Sequence, residues 1–530
     1  MRRFDLFALL LPLIAGLMPG CLAFGNISHK CNASTFSFPS ILGAEFIDLT
    51  ADAVHNYSRT ALLPGTDLAE RPIVSFCNVT VSYSHIGWGD TINVSVWIPL
   101  QGWNERMLGL GGGGFSASFG SLYQTAAVAK GFVAIGTDSG HEAGLQASTD
   151  PSFWMVNAPG NLNTNLVEDW ASKTLGELST IGKKAVRDFF NQGPSYSYFT
   201  GCSGGGRQGL ELAQAFPTAF DGILAAAPAT YIETFLVSGY YPTLLMDDLK
   251  SYPAPCEIQA FTRAAVDHCD ELDGLKDGII SNSSACQFNA NDLVGEAFSC
   301  NEMESTFSET GAKIVQAAWD GPHNSEASWP GVSFDADLSA SAVTTKCNDS
   351  NSNCTSASGE SLFGVAIKNL ILANPGYDLE ELTADEFYRL LALASAKFRQ
   401  WVGAANPQLL RFHQAGGKLI TWHGGADEVI PTRGSAHYYE AVLAQNADVT
   451  DFFRHFEAPG VGHCAAGAGP MPNSALEQLM DWVENGIAPE TLDAYSLTTG
   501  MQRPLCPYPS EQAYNGGNSS AVESFACVPK

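Results

Sequence analysis

Positive charge is what this sequence has least of. Its 530 residues carry 27 Lys and Arg against 55 Asp and Glu, a formal net charge of -28. Contact with a phosphate backbone needs a basic footprint, so nucleic acid is excluded as a partner. Charge of either sign is sparse at 15%, but with 45% hydrophobic residues the composition is that of a folded globular protein rather than a disordered or fibrous one. Repeats at solenoid or propeller periods are absent, and the only low-complexity tract is the glycine run Gly111 to Gly114. Long apolar runs are missing as well. The one extended stretch, Leu6 to Met18, is short for a membrane span and is interrupted by Pro12. The length allows a large catalytic domain with a sizeable insertion or second domain.

That apolar stretch follows Arg2 and Arg3 and leads into small residues around Cys21, Leu22 and Ala23, which reads as a secretory signal peptide over 1–23 with cleavage near Ala23. A lipid attached at Cys21 is the weaker reading, because Pro19 stands where a small or aliphatic residue is wanted. Removing Cys21 with the leader leaves 12 of the 13 cysteines, an even number suited to an oxidising compartment. Glycosylation sequons begin at Asn26, Asn32, Asn56, Asn78, Asn93, Asn282, Asn348, Asn353 and Asn518. Leader, paired cysteines and sequons together predict a secreted, extracellular glycoprotein with no membrane contact after cleavage.

Short apolar runs alternate with helical patterns through the first half: 94–100, 106–112, 132–138, a helical segment over 168–190, then YSYFTGCS at 196–203. This order predicts a mostly parallel sheet with crossover helices. RQGLELAQAF continues as a helix, and DGILAAAPA at 221–229 as the next buried strand. From 231 to 405 the pattern breaks into helical segments, Asn/Ser-rich loops and six cysteines. Strand grammar resumes at 416–427, and 476–486 reads as a closing helix with Gly486 past its end. The expected organisation is an α/β-hydrolase catalytic domain over 24–230 and 406–530, interrupted by a disulfide-rich lid insertion over 231–405.

Gly201-Cys202-Ser203-Gly204-Gly205 follows the aromatic strand and precedes the helix, which is the context of a nucleophile elbow. A serine hydroxyl needs a histidine to take its proton and a carboxylate to orient that histidine, in the chain order Ser, acid, His. Asp427, just past the strand LITW, and His463, in APGVGHCAAG, combine this order with Gly-rich loops after strands. Glu428 and Asp451 compete as the acid, and His423, His437 and His455 as the base. Cys202 precedes the serine and Cys464 follows the histidine. If Ser203 and His463 come within hydrogen-bonding reach, those cysteines can be bridged, since a disulfide spans Cα atoms about 5.5 Å apart. The oxyanion requires two preorganised donors: the N–H of Gly204, and one from Gly111 to Gly114, of which Gly113 is selected.

Cys202-Ser203, Asp427 and His463-Cys464, with SFCNVTVSYSHIGWGD (75–90), LGGGGFS (110–116), YPAPCE (252–257) and DWVENG (481–486), resemble the fungal tannase and feruloyl esterase family. The resemblance spans nearly the whole chain after the leader. It implies a serine carboxylic ester hydrolase in which a bridge joins the neighbours of Ser and His, with no organic cofactor. The implied substrates are small phenolic esters or phenolic esters linked to polysaccharide. It leaves open hydroxycinnamoyl against galloyl esters; the absence of a dibasic processing site in the insertion leans slightly to the feruloyl side, and the tannase reading is the alternative. A secreted peptidase and a non-catalytic binding glycoprotein on the same fold are the more distant alternatives. Residues 269–279, CDELDGLKDGI, do not follow the EF-hand template, and composition alone fits a solvated acidic turn equally well. The resemblance implies structural calcium held by Asp270, Asp273 and Asp277 with the carbonyls of Leu275 and Ile279, and Cys269 and Cys286 flank the loop as a candidate pair.

Overall fold

The computed structural model describes residues 28–529 except 67–70, 301–302, 326, 349–352, 357–360, 466 and 497–498. The leader, Cys21 and the Asn26 sequon lie outside the described residues.

Nine strands form the main sheet: β1 (Ala44–Ser58), β2 (Ile73–His85), β3 (Ile92–Pro99), β4 (Arg106–Leu110), β5 (Val133–Thr137), β6 (Tyr196–Cys202), β7 (Gly222–Ala226), β8 (Lys418–Gly424) and β9 (Phe453–Ala458). Their order is β1-β2-β3-β5-β4-β6-β7-β8-β9. From β5 onward every neighbouring pair is parallel, while β1, β2 and β3 add an antiparallel edge. Residues of β5 and β7 are buried throughout, as strands covered by helices on both faces must be. By contrast β2 alternates between buried and part-exposed positions, and β1, at the sheet edge, is largely exposed.

Helix α1 (Thr174–Phe190) buries Leu175, Leu178, Ile181, Ala185, Val186 and Phe189 at helical spacing against the sheet, and α2 (Gly204–Ala215) descends from the serine turn. The helical segment expected over 168–190 is not one regular helix. A short α-turn ends at Glu168, a π-helical turn covers Asp169–Lys173, and the regular helix resumes at Thr174. The fully buried Arg207 of α2 donates to the carbonyls of Trp170 and Ala171 in that π turn, at 3.1 and 2.9 Å.

Between β7 and β8 the chain leaves the sheet, and the segment expected as an insertion falls within this excursion. It contains α3 (Pro255–Cys269), α4 (Glu309–Asp320) and α5 (Ala384–Val402), the last opened by a capping box of Thr383 and Glu386. Ile258, Phe261, Ile314, Val315 and Trp319 give it a small core of its own. Six disulfides link Cys31–Cys77, Cys202–Cys464, Cys256–Cys300, Cys269–Cys286, Cys347–Cys354 and Cys506–Cys527. Three of the six, at Cys256, Cys269 and Cys347, lie wholly within the excursion. No helix among the described residues is long and apolar enough to cross a membrane.

Candidate active site

Three of the parallel strands, β6, β8 and β9, deliver Ser203, Asp427 and His463 beyond their C-terminal ends, where open α/β sheets place their sites. Ser203 adopts φ 62° and ψ -122° between β6 and α2. So sharp a turn leaves no room for side chains on either flank. A Cβ on Gly201 would lie 2.7 Å from the Gly205 backbone, and one on Gly205 would lie 2.6 Å from the Gly112 carbonyl oxygen. The turn is fixed by the Ser203 N–H, which donates to the Ala226 carbonyl at 3.0 Å, and by the Ser203 carbonyl, which accepts the Ala229 N–H at 3.0 Å.

Asp427 is buried behind this turn. Its Oδ1 accepts the N–H groups of Val429 and Ile430 at 2.9 and 2.8 Å, and its Oδ2 lies 2.9 Å from Nδ1 of His463. Burial alone would raise the carboxyl pKa, but the charge of His463 and bonds from His423 and His463 outweigh it and hold it well below the carboxylate range. For His463 burial works downward, and the Asp427 charge and hydrogen bond, with a smaller push from Glu428, turn the net shift upward. Nδ1 is thereby committed to Asp427, and Nε2 makes no hydrogen bond to a described residue. Ser203 Oγ makes none either, so the structure pairs acid with base but does not join base to serine; such contacts often close only around substrate. The loop carrying His463 is covalently held to the serine turn by Cys202–Cys464, with Cα atoms 6.0 Å apart.

The rival residues are placed elsewhere. Glu428 accepts the backbone N–H of His463 at 3.0 Å instead of meeting its ring. His423 lies on the far side of Asp427, His455 bonds Thr421, and His437 packs near Tyr231. Asp451 serves the end of a loop, accepting Lys418 through its carbonyl.

One expectation is corrected. The N–H of Gly113 donates to the Ser116 carbonyl at 3.2 Å, which closes a tight turn and leaves no donor for an oxyanion. Gly111 and Gly112 likewise donate to Thr200 and Gln208. Gly114 N–H has no acceptor among the described residues, and its nitrogen lies 3.1 Å from the position of a Cβ on Gly204. Gly204 opens α2, so its N–H precedes the intrahelical ladder. Gly204 and Gly114, which line the cleft at Ser203, therefore keep N–H groups with no acceptor among the described residues.

Beside Ser203 and Gly204 lies a tight apolar cleft walled by Phe115, Ile232, Phe235, Leu236, Leu362 and Val429. Four of these walls come from the excursion between β7 and β8. Sequence reasoning missed them, because their spacing differs in nothing from that of ordinary core residues.

The acidic loop at 269–279 is tied by Cys269–Cys286. Its carboxylates cap its own backbone: Asp270 accepts the N–H groups of Asp277, Gly278 and Ile279 at 3.1, 2.9 and 3.3 Å, and Asp273 accepts that of Leu275 at 2.9 Å. Asp277 accepts from Ile279 at 3.1 Å and pairs with the buried guanidinium of Arg503. The donors are the hard oxygens calcium prefers. As folded they are not gathered for it, since a guanidinium stands against Asp277. Among the described residues only His85, Asp90 and Asp169 bring three ligating atoms within 4.8 Å of one another.

A serine on a strand-to-helix turn of a mostly parallel sheet, with a buried aspartate and its part-exposed imidazole partner brought up from later strands, defines the class of the α/β hydrolases. Within that class the chain is matched over residues 77–528 by the model of the tannase and feruloyl esterase family. It is 34% identical to a probable feruloyl esterase of Arthroderma benhamiae, with 98% of each chain covered. It is 29% identical to a tannase of Aspergillus oryzae, covering 92% of this chain and 90% of that one. Among solved structures, the tannin acyl hydrolase from Aspergillus niger superimposes with a TM-score of 0.83 at 27% identity, covering 95% of this chain and 94% of that one. The chain belongs to the tannase and feruloyl esterase family and is a carboxylic ester hydrolase.

Proposed function

We propose that the protein is a secreted esterase of phenolic acids that works through an acyl-enzyme on Ser203. Ser203 Oγ attacks the ester carbonyl as His463 Nε2 takes its proton, and Asp427 holds the ring through Nδ1 and balances its charge. The N–H groups of Gly204 and Gly114 receive the oxyanion, and the proton on His463 passes to the departing alcohol. Water, activated by the same imidazole, then releases the acid. The observation that supports the substrate class is the set of apolar side chains beside Ser203, Phe115, Phe235, Leu362 and Val429, which offer an aromatic acyl group a packing surface. Relatives named both feruloyl esterase and tannase stand behind the same reading.

We favour hydroxycinnamoyl esters, free or linked to plant cell-wall polysaccharide, with galloyl esters of tannins as the second reading. A panel of methyl ferulate, methyl p-coumarate, methyl gallate and tannic acid tests it: the highest kcat/KM is expected on the first two, and preference for gallate reverses the order. Hydrolysis of aminoacyl amides with none of these esters would favour a peptidase. The leader over 1–23 and the sequons support secretion as a glycoprotein, which N-terminal sequencing of culture supernatant and a glycosidase mobility shift would test. Nucleic acid and membrane play no part in this reading. A calcium ion at the 269–279 loop belongs to the proposal through the oxygen chemistry of its side chains, and requires Asp277 to exchange Arg503 for the ion.

A further inference from the structure

Two histidines meet the same oxygen of Asp427. His463 Nδ1 lies 2.9 Å from Oδ2, and His423 Nε2 lies 3.1 Å from it on the opposite side. His423 comes from β8 and is fully buried at 0% exposure. Its protonation pattern follows from its partners. Nε2 is also 3.1 Å from the Ile430 carbonyl oxygen. A carboxylate and a carbonyl can only accept, so Nε2 carries the proton and donates between them. On the other side of the ring, Nδ1 lies 2.7 Å from the hydroxyl of Ser435, which anchors the imidazole plane from the helix Thr432–Leu443. Since Oδ1 already accepts from Val429 and Ile430, Asp427 is surrounded by four donors, three fixed and one, His463, belonging to the reactive pair.

We infer that His423 is a positioning residue for the Asp427–His463 pair: its Nε2–H fixes the rotation of the carboxylate and shares the charge on the oxygen that His463 Nδ1–H must meet. Nothing in the chemistry of Ser203 reaches His423, so its action passes through Asp427 alone. The inference rests on the triad reading above. Titratable groups facing the pair are few. His463 faces Asp427 and, through its backbone, Glu428; Asp427 faces His463 and His423; His423 faces Asp427 and, across β8 and β9, His455.

The sign of the effect follows from charge sharing. Without the His423 donor the Asp427 charge is less dispersed and holds a proton on His463 more tightly, so the acid limb of kcat/KM moves to higher pH. The test compares wild type, His423→Phe, His423→Gln and Ser203→Ala on methyl ferulate and methyl gallate across pH, with circular dichroism confirming the fold. His423→Phe keeps a planar ring of similar size and lacks the donor; glutamine restores an N–H. Expected for His423→Phe are a kcat lowered roughly ten- to a hundred-fold, a KM within about two-fold of wild type, and an acid limb raised by about half a pH unit. His423→Gln should recover most of both. If His423→Phe does not fold, Ser435→Ala, which frees the ring, should show the same shift in smaller measure. An acid limb unmoved or moved to lower pH, or glutamine no better than phenylalanine, overturns the inference. Turnover that survives Ser203→Ala overturns the triad reading instead.

Discussion

Histidine meets carboxylate in two buried places in this protein, and the two are built differently. At the end of β2, His85 is closed on both sides: Nδ1 lies 2.6 Å from Asp90 and 3.3 Å from Asp169, and Nε2 lies 2.9 Å from Glu177. Tyr83 donates to Glu177 at 2.6 Å from behind. Burial opposes the charged ring, yet hydrogen bonds with Asp169, Glu177 and Asp90 raise its pKa to about 10. Asp169 is pushed up to about 7 by burial, partly offset by His85. At the other place, His463 has a carboxylate on Nδ1 only, and its loop is held by a disulfide in place of further ion pairs. An imidazole with a carboxylate on each nitrogen is a fixed cation that ties strands to helix. With one nitrogen spare it can take a proton and return it.

Four measurements bear on this contrast. The largest lies at the open site: Ser203→Ala should lower turnover by about 10,000-fold or more with the melting temperature unchanged, as kinetics and a thermal melt on one preparation would record. Next comes the closed site. His85→Leu strands three buried carboxylates without their cation, so stability should fall by about 3–5 kcal/mol in urea titration, while kcat per folded molecule stays near wild type. A mutant that loses activity but not stability would reverse the roles assigned to the two histidines. Third, replacing Cys202 and Cys464 together with Ala should lower kcat by roughly a hundred-fold through displacement of the His463 loop. Its melting temperature should drop by only several degrees.

The fourth and smallest effect is on pH dependence. In the closed cluster His85, Asp169 and Tyr83 have raised folded pKa values, while bonds from His85 outweigh burial and lower that of Asp90, which like Asp427 adds stability above the acid range. The stability due to His85 is complete below 6.5 and is lost as pH rises through about 10, and Asp169 costs stability as pH climbs from 3.8 through about 7. Asp427, whose pKa is depressed, acts oppositely, adding stability above 3.8 that is lost in acid. The wild-type melting temperature should therefore fall between pH 7 and 10, and the portion due to His85 should vanish in His85→Leu. A flat profile there in wild type would show that His85 does not hold its charge.

The serine turn was legible in sequence because its geometry leaves little choice of residue: Gly201 and Gly205 flank Ser203 where backbone comes within 3 Å of any added Cβ. Asp427 and His463 were legible because chain order follows strand order. The spare amide was not legible. Four consecutive glycines are alike on paper, and only the Gly113–Ser116 turn decides that Gly114 keeps its N–H free. Strand β1 was missed for a related reason, whereas β2, which does alternate, was not read as a strand at all. The exposed edge strand β1 has no clean alternation, and its identity lies in its pairing with β2. The π turn at Asp169–Lys173 hid inside continuous helical periodicity. In the acidic loop the sequence counts carboxylates but does not reveal Arg503, 226 positions away, which supplies a charge against Asp277.

The mechanism requires Ser203 to carry the acyl group between two steps. Rapid mixing of the enzyme with methyl ferulate, acid quench and peptide mass mapping measures it directly. Expected is a feruloyl mass increment on the peptide containing Gly201-Cys202-Ser203, absent in Ser203→Ala. Full turnover of the ester with no increment under conditions that trap other acyl-enzymes, or an increment on a different residue, would contradict it.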